Sequence, residues 1–310
     1  MNRILVLTDG KAGHESQSKA FARAMGREFD VVPVRFAFPG AKALSYLFDS
    51  IGIRTAALFR IGAEIKSEAG YAAVVGTGSG TFYAAKAMAK RLGVKSAVLL
   101  YPRGYDLKSF GAILAPSFDR PAKAANIIAT PGNLVANDAA FYAAGVESFL
   151  ANGGAKPEGR EAVAVIIGGP NKRSSMTAEW MERELDRVFE ANKGSLFWVT
   201  TSRRTPPDVE RVVESYPWDY ALIYSKNRFN PIPAFVSLAS RLYVTAESTG
   251  MLSESCTCGK ARVEAIDDLL PGDSKYRRFV DSLREGGYVG GSRKIDLSGE
   301  FAAAKRLLGL

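Results

Sequence analysis

The sequence has one histidine and two cysteines in 310 residues, and it has no long apolar run. Cys256 and Cys258 lie two positions apart, which fits neither a zinc site of paired CxxC motifs nor a disulfide framework. We therefore expect reduced, structural thiols. No stretch reaches the roughly 18 uninterrupted apolar residues that a membrane-spanning helix needs.

A signal peptide and a nucleic-acid motif are also missing. Only four strongly apolar residues precede Thr8-Asp9-Gly10, so we expect the mature chain to begin at its first residue, in the cytoplasm. Lys plus Arg exceed Asp plus Glu by 41 to 32, a net charge of +9, which favours acidic partners such as sugar-nucleotide diphosphates or anionic lipid head groups. Nucleic acid ranks last, because no run of five basic residues occurs.

The sequence gives no reason to predict a metal ion or a cofactor. No Asp-x-Asp pair follows a predicted strand, and Asp267-Asp268 falls in a predicted loop without partners. We therefore expect a metal-independent protein.

Short apolar runs alternate with amphipathic stretches along the chain, which predicts an α/β fold with parallel sheets covered on both faces. The predicted strands are residues 3–8, 30–36, 71–76, 96–101, 111–115, 126–129, 161–167, 195–201, 219–224, 241–246 and 261–265. The predicted helices are residues 15–27, 41–64, 80–92, 177–192, 206–215, 248–258 and 273–286, with a further helical pattern in 300–310.

A stretch of glycine, proline and charge at residues 151–160 interrupts this rhythm and predicts a linker. The length allows two domains. We expect two Rossmann-like domains facing a cleft, residues 1–150 and residues 161–290. We expect residues 291–310 to form a final segment that crosses back to the first domain.

The one histidine lies in Asp9-Gly10-Lys11-Ala12-Gly13-His14, where the first predicted strand opens into a helix. Open α/β sheets bind ligands outside the carboxyl ends of their strands, and an imidazole can accept a proton near neutral pH. The alternative is an ordinary surface histidine in a tight turn. The glycine-rich loop 76–81 departs from the dinucleotide-binding fingerprint. We interpret it either as part of the side of the cleft that holds an acceptor substrate or as an ordinary tight turn.

Three strand ends in the second half carry groups suited to phosphate. Gly168-Gly169-Pro170-Asn171 offers backbone amides, Ser202-Arg203-Arg204 adds a hydroxyl and two guanidinium groups, and Ser248-Thr249 opens a helix. Glu254 is placed to accept hydrogen bonds from a ribose diol. Each feature has a structural alternative: the glycines form turns, Ser248 caps its helix, and the arginines are solvated.

These motifs together resemble those of the mitochondrial-fission "elongated mitochondria" family and its bacterial relatives. The resemblance rests on residues 8–15, 168–170, 201–206, 230–231 and 245–254. It implies the GT-B architecture with a nucleotide-sugar site mainly on the second domain, and it implies two activities, glycosyltransferase and nucleoside-diphosphate-sugar epimerase. The chain departs from the family pattern at Glu247, where Asp is commoner, and at Gly250, where Ser is commoner.

We therefore predict sugar transfer from a nucleoside-diphosphate sugar to a hydroxyl acceptor, either lipid-linked or part of an envelope glycan. His14, or else Asp9, removes the acceptor proton. The predicted nucleotide-sugar ligands are Gly13, Gly168, Gly169, Ser202, Arg203, Arg204, Ser248, Thr249 and Glu254. The rival predictions are an epimerase and a non-catalytic scaffold recruited to a membrane.

The stretch 41–61 is long, apolar and punctuated by Lys42, Arg54 and Arg60. A basic amphipathic helix of this kind lies in an anionic membrane surface, which predicts a peripheral protein at the inner face of a membrane. The commoner alternative is that the apolar stripe packs against its own sheet.

Overall fold

The computed structural model describes residues 3–63, 65, 70–135 and 139–310. Its chain divides into two compact units, Met1–Ala136 with Asp296–Leu310, and Asn137–Ile295. Each unit is built on a sheet of parallel strands flanked by helices, so the predicted α/β class is confirmed.

In the described part of the first unit, seven strands form one sheet in the order β3-β2-β1-β4-β5-β6-β7. The strands are β1 (Arg3–Thr8), β2 (Glu28–Phe36), β3 (Phe59–Ile61), β4 (Tyr71–Thr77), β5 (Lys95–Leu99), β6 (Ala112–Pro116) and β7 (Ile127–Thr130). The longer helices are α1 (Ala12–Ala24), α2 (Ala41–Ser50), α3 (Phe82–Leu92) and α10 (Ser298–Leu308). Only the edge strand β3 runs antiparallel to its neighbour.

Central strands of this sheet are buried on both faces, as their unbroken apolar runs predict. Ile4, Leu5 and Val6 of β1 have no exposed surface. Helix α10 packs against β5, β6 and β7, and Lys95 donates to the carbonyl of Leu307 at 2.7 Å, so the C-terminal helix belongs to the first unit.

The predicted helix 41–64 is wrong beyond Ser50, and its last residue lies outside the described residues. Gly52 has φ +77°, a left-handed conformation that commonly ends helices. A short 3₁₀ helix, Ala56–Leu58, and then β3 follow. The chain therefore turns back to pair with β2 where the pattern predicted continued helix.

The second unit has a sheet of five described strands in the order β10-β9-β8-β11-β12. The strands are β8 (Ala162–Ile166), β9 (Leu196–Thr200), β10 (Tyr220–Leu222), β11 (Arg241–Thr245) and β12 (Arg262–Ile266). The helices are α4 (Ala139–Ala151), α5 (Ala178–Ala191), α6 (Pro207–Glu214), α7 (Ile232–Leu238), α8 (Thr249–Thr257) and α9 (Lys275–Glu285).

Helix α4, which the sequence pattern missed, belongs to this unit and not to the first. Its Phe149 is fully buried against Trp198, Tyr220 and Phe235, with ring centroids 4.7 to 5.8 Å apart. Aromatic burial of this size stabilises α4 on α7 and the sheet. The unit boundary therefore lies at 136/137, nearer the N-terminus than the predicted linker at 151–160.

Candidate functional sites

Asp9 and His14 form a hydrogen-bonded pair in the first unit. Asp9 follows β1, and His14 lies in the first turn of α1, where His14 Nδ1 is 3.1 Å from both Asp9 carboxylate oxygens. A carboxylate only accepts hydrogen bonds, so Nδ1 carries the proton and Nε2 is left as the basic nitrogen. The arrangement is that of a histidine base held by a carboxylate.

Electrostatics favour the charged form of Asp9, whose side chain is 10% exposed. Burial alone acts to raise the pKa of Asp9, but the positive form of His14 and the hydrogen bond from the Lys11 amide outweigh it and lower the pKa. Lys11 Nζ also lies 3.3 Å from the carboxylate. Asp9 is therefore suited to orienting His14 rather than to accepting a proton itself.

The glycine-rich loop after β4 packs directly against this pair. A Cβ at Gly78, which has φ +80°, would lie 2.3 Å from His14 Cε1, and one at Gly80 would lie 2.8 Å from Asp9 Cβ. Only glycine permits that approach. From β1, strands β2 and β3 extend the sheet to one side, and β4 to β7 extend it to the other. The junction of β1 and β4 is therefore the topological switch point at which open sheets bind ligands.

A cavity of about 460 Å³ opens beside Asp9. It is lined by Thr8, Asp9, Gly10, Pro33, Val34, Arg35, Arg60, Ile61 and Gly62. Gly13 lies in the first turn of α1, where its carbonyl accepts a hydrogen bond from the Gln17 side chain. The first unit thus has a histidine oriented by a carboxylate and, beside Asp9, space for a ligand.

In the second unit, Glu247 joins the loops that follow β8, β9 and β11. Its Oε1 accepts from the Gly169 amide at 2.8 Å and lies 3.4 Å from Arg204 Nη2. Arg204 Nη1 donates to the Gly169 carbonyl at 2.7 Å, and the arginine keeps 43% of its side chain exposed. The structure therefore brings Gly168, Gly169 and Arg204 together at the switch point between β8 and β11.

The expectation that residues 168–171 offer unoccupied amides is wrong. The Gly168 amide donates to Thr245 Oγ1 and the Asn171 amide to Ser174 Oγ, both at 2.9 Å, and Pro170 has no N–H. A Cβ at Gly168 would lie 1.8 Å from Glu247 Oε1, so the glycines serve close packing. An anion at these strand ends would therefore need donors from neighbouring groups.

Those neighbours are the start of α8 and the loop after β9. Ser248 is the N-cap residue of α8, but its side chain makes no capping hydrogen bond, so the capping alternative is wrong. Thr249 is the first residue of the helix. Arg203 is exposed and has no ion pair with any described residue, and Ser202 Oγ accepts from the Arg204 amide at 3.2 Å. A helix N-terminus beside two guanidinium groups is a setting for an anion.

Sequence reasoning missed Asp268, which it placed in a loop without partners. Asp268 and Glu247 are 4% and 2% exposed, and the Glu247 amide donates to Asp268 Oδ1 at 3.2 Å. Burial and the neighbouring Glu247 raise the pKa of Asp268 to about 8. Glu247 and Asp268 each lie two residues after the end of a strand, and the strand ends Thr245 and Ile266 are paired. These equal distances from paired strand ends could have indicated from sequence that the two acids lie close together.

Glu254, predicted to bind a ribose, lies half-buried on α8, with Oε1 3.5 Å from the Tyr142 hydroxyl. Burial raises the pKa of Glu254 to about 7, so near neutral pH a large fraction of it is a neutral acid that donates a hydrogen bond. Burial also raises the pKa of Cys256 to about 12, which keeps that thiol protonated and unreactive.

No cluster of three or more metal-ligating side chains occurs among the described residues. No helix in the described part of the chain is long and apolar enough to cross a bilayer.

Comparison with known proteins gives a family and a fold. A family model described as mitochondrial fission ELM1 matches residues 12–298. An uncharacterised protein of Rickettsia prowazekii (strain Madrid E) is 30% identical over 111 residues, which are 34% of this chain and 31% of that protein. The chain therefore spans about a third of the length of this curated relative.

Solved structures share the fold at low sequence identity. UDP-GlcNAc 2-epimerase from Methanocaldococcus jannaschii has a TM-score of 0.52 at 10% identity, with 100% of this chain and 99% of that chain covered. The Neisseria meningitidis UDP-GlcNAc 2-epimerase bound to UDP-GlcNAc gives 0.51 at 12%, with 100% and 99% covered. A Polygonum tinctorium UDP-glucosyltransferase gives 0.50 at 12%, with 99% and 88% covered. The fold is of the GT-B type.

Proposed function

The chain belongs to the mitochondrial fission ELM1 family, and on that premise we propose that it transfers a sugar from a nucleoside-diphosphate sugar to a hydroxyl acceptor. The observation that carries the proposal is the Asp9–His14 pair, because a carboxylate that fixes Nδ1 leaves Nε2 to act as general base. Such an oriented base suits an acceptor that must lose a proton.

The donor diphosphate binds, in this proposal, at the start of α8 and at the loop after β9. Ser248 and Thr249 present the positive end of the helix dipole, while Arg203 and Arg204 supply charged donors. Ser202 adds a hydroxyl. These groups stabilise the negative charge that develops on the leaving diphosphate, as electrostatic catalysis requires.

The remaining predicted ligands have supporting roles in the same proposal. Gly168 and Gly169 set the backbone on which Arg204 is held, and Gly13 lies in the first turn of the helix that carries His14. Glu254 donates or accepts a hydrogen bond at the ribose according to its protonation.

In the transfer step the bond between the sugar C1 and the phosphate oxygen breaks, and a bond from C1 to the acceptor oxygen forms. The acceptor proton moves to His14 Nε2, and the electron pair of the broken bond leaves with the nucleoside diphosphate. This chemistry needs one base and one anion-stabilising site.

The test begins with thermal shifts of the protein against UDP, GDP, ADP, dTDP and their sugars, because a ligand bound to the native state raises the melting temperature. Calorimetry then compares the wild type with Arg204→Ala. We expect a loss of about 1.5 to 3 kcal/mol in nucleotide affinity, as for a charge-assisted hydrogen bond. Arg211→Ala removes the same charge from the exposed end of α6 and is expected to bind as the wild type.

Equal affinity in Arg204→Ala and the wild type would remove Arg204 from the site. Conversion of the nucleotide sugar to its epimer without an acceptor would replace the transferase by an epimerase. Binding of nucleotides with no turnover under any acceptor would favour the scaffold.

We also propose that the acceptor is presented at an anionic membrane surface. Five of the eight large apolar side chains that the described structure exposes lie within residues 38–53. They are Phe38, Leu44, Leu47, Ile51 and Ile53, here called the α2 patch. The only acidic residue in 31–63 is Asp49, and it is buried against Lys86, whereas Lys42 is exposed. An apolar patch with cations and no exposed acid suits anionic lipid.

Vesicle sedimentation tests this surface. We expect the protein to bind phosphatidylglycerol vesicles, and to bind them more weakly when salt is added or when phosphatidylcholine replaces the anionic lipid. We expect the double variant Leu47→Glu, Ile51→Glu to lose this binding. Leu270→Glu changes an exposed leucine of the second unit and is the matched control. Binding that is equal in all three proteins would contradict the proposal, and a change of oligomeric state would assign the patch to a second copy.

A further inference from the structure

Two arginines face each other across the edge of the first sheet. The register of β2 and β3 pairs Arg35 directly with Arg60, flanked by the pairs Val34–Ile61 and Phe36–Phe59. Directly opposed residues of antiparallel strands have Cα atoms about 5 Å apart, with both side chains on one face. The two guanidinium groups are therefore held close together by the backbone.

This pairing is unfavourable unless something negative lies between the two cations, because like charges directly opposite each other destabilise a ladder. Arg35 and Arg60 are exposed, and neither guanidinium group forms an ion pair or hydrogen bond with a described residue. By contrast, Arg3 on β1 of the same sheet pairs with Asp30 at 2.7 Å. The edge pair is thus an unneutralised double charge.

Both arginines line the cavity that opens beside Asp9. The Asp9 carboxylate is already engaged by His14 and Lys11, so it does not neutralise them. A ligand in this cavity therefore meets two planar cationic forks and the Asp9 residue that holds His14. Guanidinium forks match the oxygens of carboxylates and phosphates in bidentate geometry, which an ammonium does not.

We propose that this cavity is an acceptor site for a hydroxyl compound that carries an oxyanion, which Arg35 and Arg60 bind together. The inference rests on the proposed transferase function, since Asp9, which lines the cavity, also holds His14, the base of the proposed transfer step. The oxyanion is a phosphate or a carboxylate, as in a sugar phosphate or a uronic acid. Because the two arginines bind this negative charge, the cavity selects charged acceptors over neutral sugars.

The experiment measures anion binding without any nucleotide sugar, so it does not depend on turnover. Glucose 6-phosphate and glucuronate are the two anionic probes, and glucose is the neutral control. We expect one or both anions to raise the melting temperature of the wild type while glucose does not, and the difference between the two anions separates a phosphate site from a carboxylate site.

Arg35→Gln and Arg60→Gln give a signature that a solvated surface arginine does not. Each is expected to raise the melting temperature of the ligand-free protein, because the repulsion is relieved, and to weaken anion affinity at least tenfold. Arg60→Lys keeps the charge but loses the fork, so it is expected to weaken anion affinity without the gain in ligand-free stability. Arg91→Gln removes an exposed charge of α3 from the same unit and is expected to match the wild type.

Three results would overturn the inference: no stabilisation of the wild type by either anion, equal stabilisation of the wild type and the glutamine variants, or equal stabilisation by glucose. Nucleotide binding is measured on the same samples. Nucleotide binding with no anion effect overturns only the acceptor site, whereas an anion effect with no nucleotide binding leaves the cavity as an anion site and overturns the proposed transferase.

Discussion

Replacing Asp268 by asparagine tests the buried carboxyl pair at the centre of the second unit. In the wild type the pKa of Asp268 is raised from 3.8 to about 8 by burial and by Glu247. Oε2 of Glu247 and Oδ2 of Asp268 receive no donor from the described residues, so a proton on one acid provides the donor that the pair lacks. Asparagine supplies a permanent donor in the same shape and does not titrate.

The size of the effect follows from the raised pKa. The folded protein retains a proton that the unfolded chain releases above pH 4, so this contribution to stability is complete below pH 4 and is lost as pH rises through about 8. The folding equilibrium weakens about tenfold per pH unit in that window, which is roughly 3 kcal/mol between pH 5 and pH 7. For a unit of this size that corresponds to about 5 to 10 °C in melting temperature.

Thermal unfolding at pH 5, 6, 7 and 8 provides the assay. We expect the melting temperature of Asp268→Asn to gain on that of the wild type steadily as the pH rises. Asp267→Asn, one residue away and paired with Arg277 at the surface, is the control and is expected to run parallel to the wild type. Parallel curves for Asp268→Asn and the wild type would refute the shared proton.

Three further predictions concern His14, Gly168 and Lys86. His14→Ala should slow sugar transfer by roughly 10²- to 10⁴-fold with nucleotide-sugar affinity nearly unchanged, whereas unchanged kcat in steady-state kinetics would return His14 to a turn-forming role. Gly168→Ala should lower the melting temperature because its Cβ meets Glu247 at 1.8 Å, whereas Gly250→Ala meets nothing within 4 Å and should be tolerated. Lys86→Met should cost about 3 kcal/mol in denaturant unfolding, since it removes a buried partner of Asp49, and a loss under 1 kcal/mol would contradict that pairing.

The sheet was predictable from sequence because its central strands are buried on both faces. Runs such as Ile4-Leu5-Val6-Leu7 are unbroken, and each is followed by glycine or a polar turn. The helices that were not predicted lack such a clear pattern of apolar and polar residues. Helix α4 is apolar on all sides, and α7 is seven residues long with prolines at 231 and 233, so neither shows a helical stripe.

The positions of the candidate sites were predictable and their hydrogen bonds were not. The carboxyl ends of parallel strands lie at one edge of a sheet, so Asp9, Gly168 and Ser248 could be placed at the edges where open sheets commonly bind ligands. Which amides remain open depends on side chains far away in sequence, such as Glu247 for Gly169, 78 residues away. The Arg35–Arg60 pair likewise required β3, a strand that the helical pattern of 41–64 concealed.

Strand β3 is a sheet edge, and its brevity has a consequence for the protein in concentrated solution. Unpaired edges recruit other strands, and proteins protect them by keeping them short and by placing charge on them. Arg60 and Arg35 provide that charge at this edge. An anion bound by both arginines, as proposed above, would remove the repulsion between edges of different molecules and so would lower colloidal solubility.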